Sequence, residues 1–351
     1  GIVAASTFSY TGRIVTSTGI VLNQSPTIVS ASVTDGGAII ESVEDIKFRA
    51  PKFYAAQNRA VTNNDYRTLV QKFYPAASDV YVFGGEELDI PEYGRVYIVI
   101  KPNTGDSIST FSKTSIIESL QDYKVSSIQL VIVDPQILYL ELDTVVYYND
   151  KRTIRDDAGI VSIVKSTLDS ESVSGSIDKF GGAARFSRIV SAIDDAESSI
   201  TRNTTKITMR KGFDVIADVR ASYEICFEQP LEVCFSHSVV SSSGFTLFGD
   251  TKTYYFEDDT KGNIYTYYFN ENNVKTIGDS QFGTLDYTKG EIMIGYVKPV
   301  IFTSTSLLGS EIQVKATPAS QDVVAKKSVY LDLDVTNSRI TAIVDTNELS
   351  S

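Results

Sequence analysis

The chain has 351 residues, 42% of them hydrophobic, and a formal net charge of −12. That is apolar material for two or three domains, while the acidic balance repels phosphate backbones and speaks against nucleic acid as a partner. No run approaches the ~18 apolar residues of a membrane span and no charged-then-apolar leader opens the chain, so it reads as soluble, without a membrane partner. Position 1 is Gly rather than Met, which leads us to expect a piece or processed product of a longer protein.

From Gly1 to Phe48, β-branched and aromatic residues alternate with Ser and Thr, as in FSYTGRIVTSTGIVL. This predicts short strands with turns at Thr11-Gly12 and Asp35-Gly36-Gly37. Ile40 to Phe48 fits either a strand or a short helix. We expect residues 1–48 to complete a domain that lies upstream. The next stretch, Ala50 to Phe73, carries the clearest local signals of the chain. It reads as an extended Ala-Pro entry, a joint QNRAVT, and a helix. Thr62 is the N-cap, and Asp65 stands three residues on, the spacing of a capping box. Tyr66, Leu69, Val70 and Phe73 then form one apolar stripe, and Pro75 stops the helix.

Strands are expected next at Asp79–Phe83 and Arg95–Ile100, separated by a Gly84-Gly85 break. A second helix is expected from Ser115, paired with Glu118 at its start, with Ile116, Ile117 and Leu120 on its apolar side. Ile128–Val133 and Ile137–Tyr148 read as two further strands. The order helix, strand, strand, helix, strand, strand predicts an α+β class with a ferredoxin-like split βαβ module. Additional helices are expected at Asp156–Leu168 and at Arg188–Ile200, the latter capped by Ser187, with a Ser- and Gly-rich joint at Ser170–Gly182 between them.

Beyond Thr204 the helical period disappears. Strands are expected at Lys206–Met209, Val215–Phe227, Leu231–Phe235, Tyr254–Phe256, Ile264–Phe269, Glu291–Val297, Glu311–Ala316 and Val329–Val335. The patch SVVSSSG at Ser238–Gly244 reads as an exposed loop. The expected organisation is a β-rich segment at 1–48, an α+β core at 49–210 and a mostly β domain at 211–351.

The run APKFYAAQNRAVTNNDYRTLV, followed by DVYVFGGEE and YGRVYIVIKP, resembles the baseplate wedge proteins of T4-like contractile-tailed bacteriophages, the baseplate J-like family, in their C-terminal portion. A second run, IDKFGGAARFSRIVSAIDDAESSITRNTTKITMRK at Ile177–Lys211, carries the same resemblance. The resemblance covers Gly36 to Lys211 and contains no catalytic signature. It implies a structural subunit of the virion's tail baseplate, assembled in the host cytoplasm and requiring no cofactor. It also implies a homodimer, copies bridged into a ring, contacts with other wedge proteins including the sheath-initiating subunit, and rearrangement on sheath contraction. The family's helical N-terminal region is not evident, which puts its core-bundle contact in doubt here.

The residues themselves carry little chemical grammar. The one histidine, His237, is needed by any Ser-His-Asp triad, Cys-His dyad or histidine metal site, yet no nucleophile motif surrounds it. No phosphate-binding Gly-rich loop is present. The acidic pairs Glu86/Glu87, Asp156/Asp157, Asp194/Asp195 and Asp258/Asp259 read as solvated. Asp332, Asp334 and Asn337 resemble a calcium loop only weakly, since the glycine and the closing Glu are missing. Cys226 and Cys234 face each other if Gln229-Pro230 turns a hairpin; two free thiols are the reading a reducing cytoplasm favours. Arg59, Arg185 and Arg188 lie at predicted helix starts and serve either as inter-subunit anchors or, the reading preferred here, as internal braces. Arg59, Thr62, Asp65, Tyr66, Arg185 and Arg188 are thus the structural or interface candidates, with no catalytic, cofactor or metal residue. The Tyr-, Ser- and Thr-rich β half supports the alternative of a receptor-binding or cell-surface adhesin, and a carbohydrate-cleaving enzyme, which needs two acids across a groove, is disfavoured by the missing catalytic grammar.

Overall fold

A computed structural model of the chain describes residues 7–9, 14–15, 21–22, 27–29, 43–175, 177–295, 299–303 and 311–346. Its contacts group into two compact units, Gly1–Pro135 and Gln136–Ser351.

In the first unit, Thr7–Ser9 pairs antiparallel with Thr27–Val29, and Ile14–Val15 with Val21–Leu22. The turns expected at Thr11-Gly12 and Asp35–Gly37 lie outside the described residues. Helix α1 spans Val43–Ala56 and contains Pro51. The Ala-Pro pair expected as an extended entry is therefore helical. Proline forfeits one backbone hydrogen bond there, but good helix formers (Glu44, Lys47, Arg49, Ala50) surround it. Gln57 and Asn58 end the helix in left-handed conformation, with φ of 47° and 56°.

After this joint come α2 (Asn63–Phe73), β1 (Ala77–Gly84), β2 (Arg95–Pro102), α3 (Thr110–Leu120) and β3 (Gln129–Val133). Strand β1 runs antiparallel to β2, and β2 runs parallel to β3, with α3 as the crossover. Tyr66, Leu69 and Val70 of α2 and Ile116 and Leu120 of α3 share one core with Val80, Val82, Ile98, Ile100 and Leu130 of the sheet. Helix α3 begins five residues before the expected Ser115. Ser109 is the cap, accepting from the Ser112 N–H at 3.1 Å, and Ile108 beside it is buried, which anchors the earlier start.

The second unit runs β4 (Gln136–Tyr148), α4 (Asp157–Ser174), α5 (Phe186–Asp194), β5 (Ile200–Asp214), β6 (Tyr223–Cys226), β7 (Val240–Ser242), β8 (Tyr254–Asp258), β9 (Asn263–Phe269), β10 (Gly283–Asp286), β11 (Glu291–Ile294), β12 (Glu311–Ala316), β13 (Val329–Leu333) and β14 (Arg339–Val344). These strands belong to one 13-stranded sheet. Strand β4 is antiparallel to β5 on one side and parallel to β13 and β14 on the other. The α+β class is as expected. The fourth strand assigned to a ferredoxin-like module, however, is β4, and it pairs here, which leaves the first unit's sheet with three strands.

The physical reason is burial. Leu138, Leu140, Leu142 and Val146 of β4 meet Ile160, Val164 and Leu168 of α4 and Ile189 and Ile193 of α5 in one core. The expected boundary at 210/211 falls inside β5, whose Met209–Asp214 end pairs with β12. Helix α5 stops at Asp194, short of the expected Ile200, which opens β5 and still packs against the core.

Two expected strands dissolve. Val215–Phe227 keeps only Arg220–Ala221 and β6, because Asp218 turns left-handed at φ 59°. Leu231–Phe235 keeps a single bridge, Leu231 to Pro318. Conversely, the Ser-rich patch expected as a loop contains β7, held in place by buried Val239 and Val240. Part of the expected Glu291–Val297 strand lies outside the described residues. No helix among the described residues is long and apolar enough to cross a membrane.

Candidate functional site

In the first unit the start of α2 is tied reciprocally. The Asp65 N–H donates to Thr62 Oγ1 at 3.3 Å, and the Thr62 N–H returns to Asp65 Oδ2 at 2.9 Å. The Val61 N–H joins the same carboxylate oxygen at 3.2 Å. Burial pushes the Asp65 carboxyl upward, but the Thr62 and Val61 donors, helped by the charge of Arg59, hold it below the ordinary carboxylate value. Arg59 itself is exposed and forms no salt bridge among the described residues. Tyr66, next on the helix, is 2% exposed and belongs to the core.

Replacing Thr62 by Ala is expected to cost about 1 kcal/mol, read as a lower urea midpoint at unchanged slope. The carboxylate's part of this cap is present above the ordinary Asp range and is lost as pH falls through the depressed folded value. Wild type and Asp65→Asn should therefore converge in stability at low pH.

In the second unit Arg185 and Arg188 open α5, and both pair inside the unit. Arg188 Nη2 meets Glu171 Oε1 of α4 at 2.6 Å, and Arg185 Nη1 meets Asp322 Oδ2 at 3.1 Å. The second oxygen of Asp322 accepts from the Phe186 N–H at 2.8 Å. A residue far along the chain thus caps the helix, in place of the expected Ser187. The Phe186 and Arg185 donors hold Asp322 below its ordinary value. Both arginines line a cavity of about 330 Å³ with Glu171, Lys179 and Gly181. The glycine pair next to it is required: Gly181 sits at φ 64°, and a Cβ on Gly182 would fall 2.0 Å from the Ile177 carbonyl oxygen.

A network of buried charges lies on the face of β4 turned away from the helices, and the one-dimensional pattern gave no sign of it. Arg210 Nε donates to Glu141 Oε1 at 2.5 Å, and its Nη2 pairs with Asp334 Oδ2. Lys315 pairs with the other oxygen of Glu141. The guanidinium lies 4.2 Å from the ring centre of Tyr139. Alternation along β4, β5 and β12 places these side chains on one face, and the side chains of Arg210 and Glu141 are less than a tenth exposed. Asp334 also accepts from the Asn337 N–H at 2.9 Å and from its Nδ2 at 2.7 Å. The weak calcium-loop pattern is accordingly a turn braced by Arg210. Among the described residues no group of three His, Cys, Asp or Glu side chains is placed to hold a metal ion.

A second buried acid corrects the solvated reading of Asp258/Asp259. Asp258 is 2% exposed. Its Oδ1 accepts from Ser238 Oγ at 2.6 Å and from the N–H groups of Val239 and Val240 at 2.7 and 2.8 Å. Its Oδ2 accepts from the Tyr287 hydroxyl at 2.8 Å. Neither arrangement sets a nucleophile beside a base. Both are built to hold sheet and loops rigid. Of the sequence candidates, the structure joins Thr62, Asp65 and the charge of Arg59 at one helix start, and sets Arg185 and Arg188 around one cavity.

Comparison with known proteins finds that parts of both units are similar to structural proteins of phage baseplates. Residues 62–133 match the family model described as baseplate structural protein gp6, C-terminal domain I, and residues 136–212 match C-terminal domain III. The junction of the two matches falls at the division of the chain between Pro135 and Gln136. Among curated proteins the chain is similar to the baseplate wedge protein gp6 of Enterobacteria phage T4, 25% identical over 204 residues. That alignment covers 58% of this chain and 30% of the relative. The chain resembles the C-terminal portion of a baseplate wedge protein. A cryo-EM structure of the anti-feeding prophage baseplate, 6-fold symmetrised, aligns at a TM-score of 0.34 and 16% identity over 55% of this chain and 42% of that one.

Proposed function

We propose that this chain is a structural subunit of a phage tail baseplate wedge in the virion. Copies of it pair and bridge into a ring, contact other wedge proteins including the sheath-initiating subunit, and rearrange when the sheath contracts. The observation that carries the proposal is the succession of two gp6 C-terminal domain matches, at residues 62–133 and 136–212. The role is mechanical rather than catalytic. Each unit has its own packed core, so each is suited to move as a body while contacts between copies persist or switch. In this reading Arg59, exposed at its joint, faces a neighbour, while Arg185 and Arg188 keep the second unit rigid.

An antibody raised to the chain, gold-labelled and viewed on contractile-tailed particles, tests the proposal. Label confined to the distal plate in both extended and contracted tails is expected. No label on any particle overturns it. A second reading, a receptor-binding role, draws on one feature: the tyrosine and phenylalanine ladder of β8 and β9. Tyr255 and Tyr267 stack at 5.4 Å, and Phe269 lies 5.8 Å from Tyr267 and is half exposed. Label at fibre tips would select that reading.

A further inference from the structure

The histidine and one thiol meet on the surface of the second unit. Cys234 Sγ lies 2.9 Å from His237 Nδ1 and 3.1 Å from Ser236 Oγ, and that hydroxyl lies 3.2 Å from the same ring nitrogen. In the tautomer whose Nδ1 carries no proton, an imidazole at this distance is placed to accept from the thiol, the arrangement that makes a cysteine nucleophilic. The site is open. Cys234 is half-buried, and its neighbours Val233 and Phe235 are 56% and 85% exposed. Glu232, the one acid acting on the thiol, opposes the thiolate, but its own charge is shared with Lys206 at 3.7 Å. The hydrogen bonds from Ser236, then the His237 N–H, outweigh burial and Glu232 and draw the thiol below its ordinary value. Cys226 differs. It lies in β6 against β11, where the Lys211 ammonium donates to its carbonyl at 2.9 Å and acts on the thiol through charge alone; it has no imidazole partner to take its proton, the lone histidine being engaged at Cys234.

The geometry points to Cys234 as a modification site, a thiol activated by His237 and Ser236 that exchanges with small-molecule disulfides. His237 takes the proton from Cys234, and the thiolate attacks one sulfur of the incoming disulfide. A bond forms between Cys234 Sγ and that sulfur as the incoming S–S bond breaks. The departing sulfur leaves with the bonding electron pair and takes the proton from His237. One cysteine is oxidised to a mixed disulfide and one small thiol is released, with no further reactant.

The test uses the full chain as Cys226→Ser and Cys234→Ser variants, with 5,5′-dithiobis(2-nitrobenzoate) and glutathione disulfide as probes between pH 5 and 9. At pH 6 Cys234 should react about 3- to 10-fold faster than Cys226, with its rate inflecting below the ~8.5 of a free thiol. Adding His237→Asn to the Cys226→Ser chain should remove that advantage and raise the inflection. Glutathione disulfide should add one glutathionyl mass at Cys234. Equal or faster reaction at Cys226 overturns the assignment. So does a folded His237→Asn chain with unchanged rate and inflection, or failure of glutathione disulfide to react. The comparison of the two cysteines decides even where the histidine variant does not fold.

Discussion

Arg210→Ala should be among the most destabilising single substitutions in the second unit, costing about 3–5 kcal/mol. The loss does not measure an attraction so much as the charges left behind. Glu141 is 7% exposed, and the Asp334 side chain is 12% exposed. Without the guanidinium each becomes a buried carboxylate short of its main cation, and Tyr139 loses the cation above its ring. Urea unfolding followed by circular dichroism checks the size. Glu141→Gln should cost clearly less, because an amide oxygen still accepts from Arg210 and the half-exposed Lys315 can turn to water.

The pH dependence sharpens the test. Burial raises Asp334, but the Asn337 donors and Arg210 together hold it below the ordinary 3.8. A depressed carboxylate contributes stability above its unfolded value, and that contribution is lost as pH falls through the folded one. The gap between wild type and Arg210→Ala should therefore narrow below about pH 4. A gap that stays constant down to the acid transition would mean that Asp334 takes no part in the network.

The second large effect is expected at Asp258. Replacing it by Ala strands the N–H groups of Val239 and Val240 and the hydroxyl of Tyr287, while the Ser238 hydroxyl keeps the Val240 carbonyl as acceptor at 2.6 Å. Each buried unsatisfied group costs about 1–3 kcal/mol, so with these three donors a total of about 3–4 kcal/mol is expected. Asp258→Asn should fall between, since its oxygen keeps some donors while its NH₂ faces others. Tyr287 offers a spectroscopic readout. Burial, then its hydrogen bond to Asp258, raise its phenol well above the ordinary 10. In a folded Asp258→Ala chain its ionisation, followed near 295 nm, should move back toward that value.

Much of the first unit was legible along the chain, because its signals are local. The Thr62–Asp65 box is a three-residue spacing, and the Tyr66–Leu69–Val70 stripe repeats at helical period, so both are written within one turn or two. Cap positions failed where the donor or acceptor came from afar: Ser187 reads as a good N-cap, but Asp322 does that work for α5. The strand patterns of β8, β9 and β12 were visible from alternation. Val215–Phe227 was over-read because β propensity says nothing of the left-handed turn at Asp218. Arg185 and Arg188 stand out in the sequence by their places next to a helix start, and in the structure they pair with Asp322 and Glu171, whereas Arg210, Glu141 and Asp258 give no such signal, being isolated polar letters in strand-like runs.

What the amino-acid sequence determined by itself is the α+β class, the acidic charge, the capped helix α2 and the resemblance to baseplate wedge proteins. All of these rest on composition or on residues close together in the chain. The tertiary structure alone decided that β4 belongs to the second unit's sheet, and that residues beyond 311 return to flank β4 and β5. It also decided that buried Asp258 and Arg210 hold that sheet together. Strand pairing and charge burial join residues more than a hundred positions apart, such as Arg210 and Asp334, and a pattern read a few residues at a time carries no energy term for such contacts.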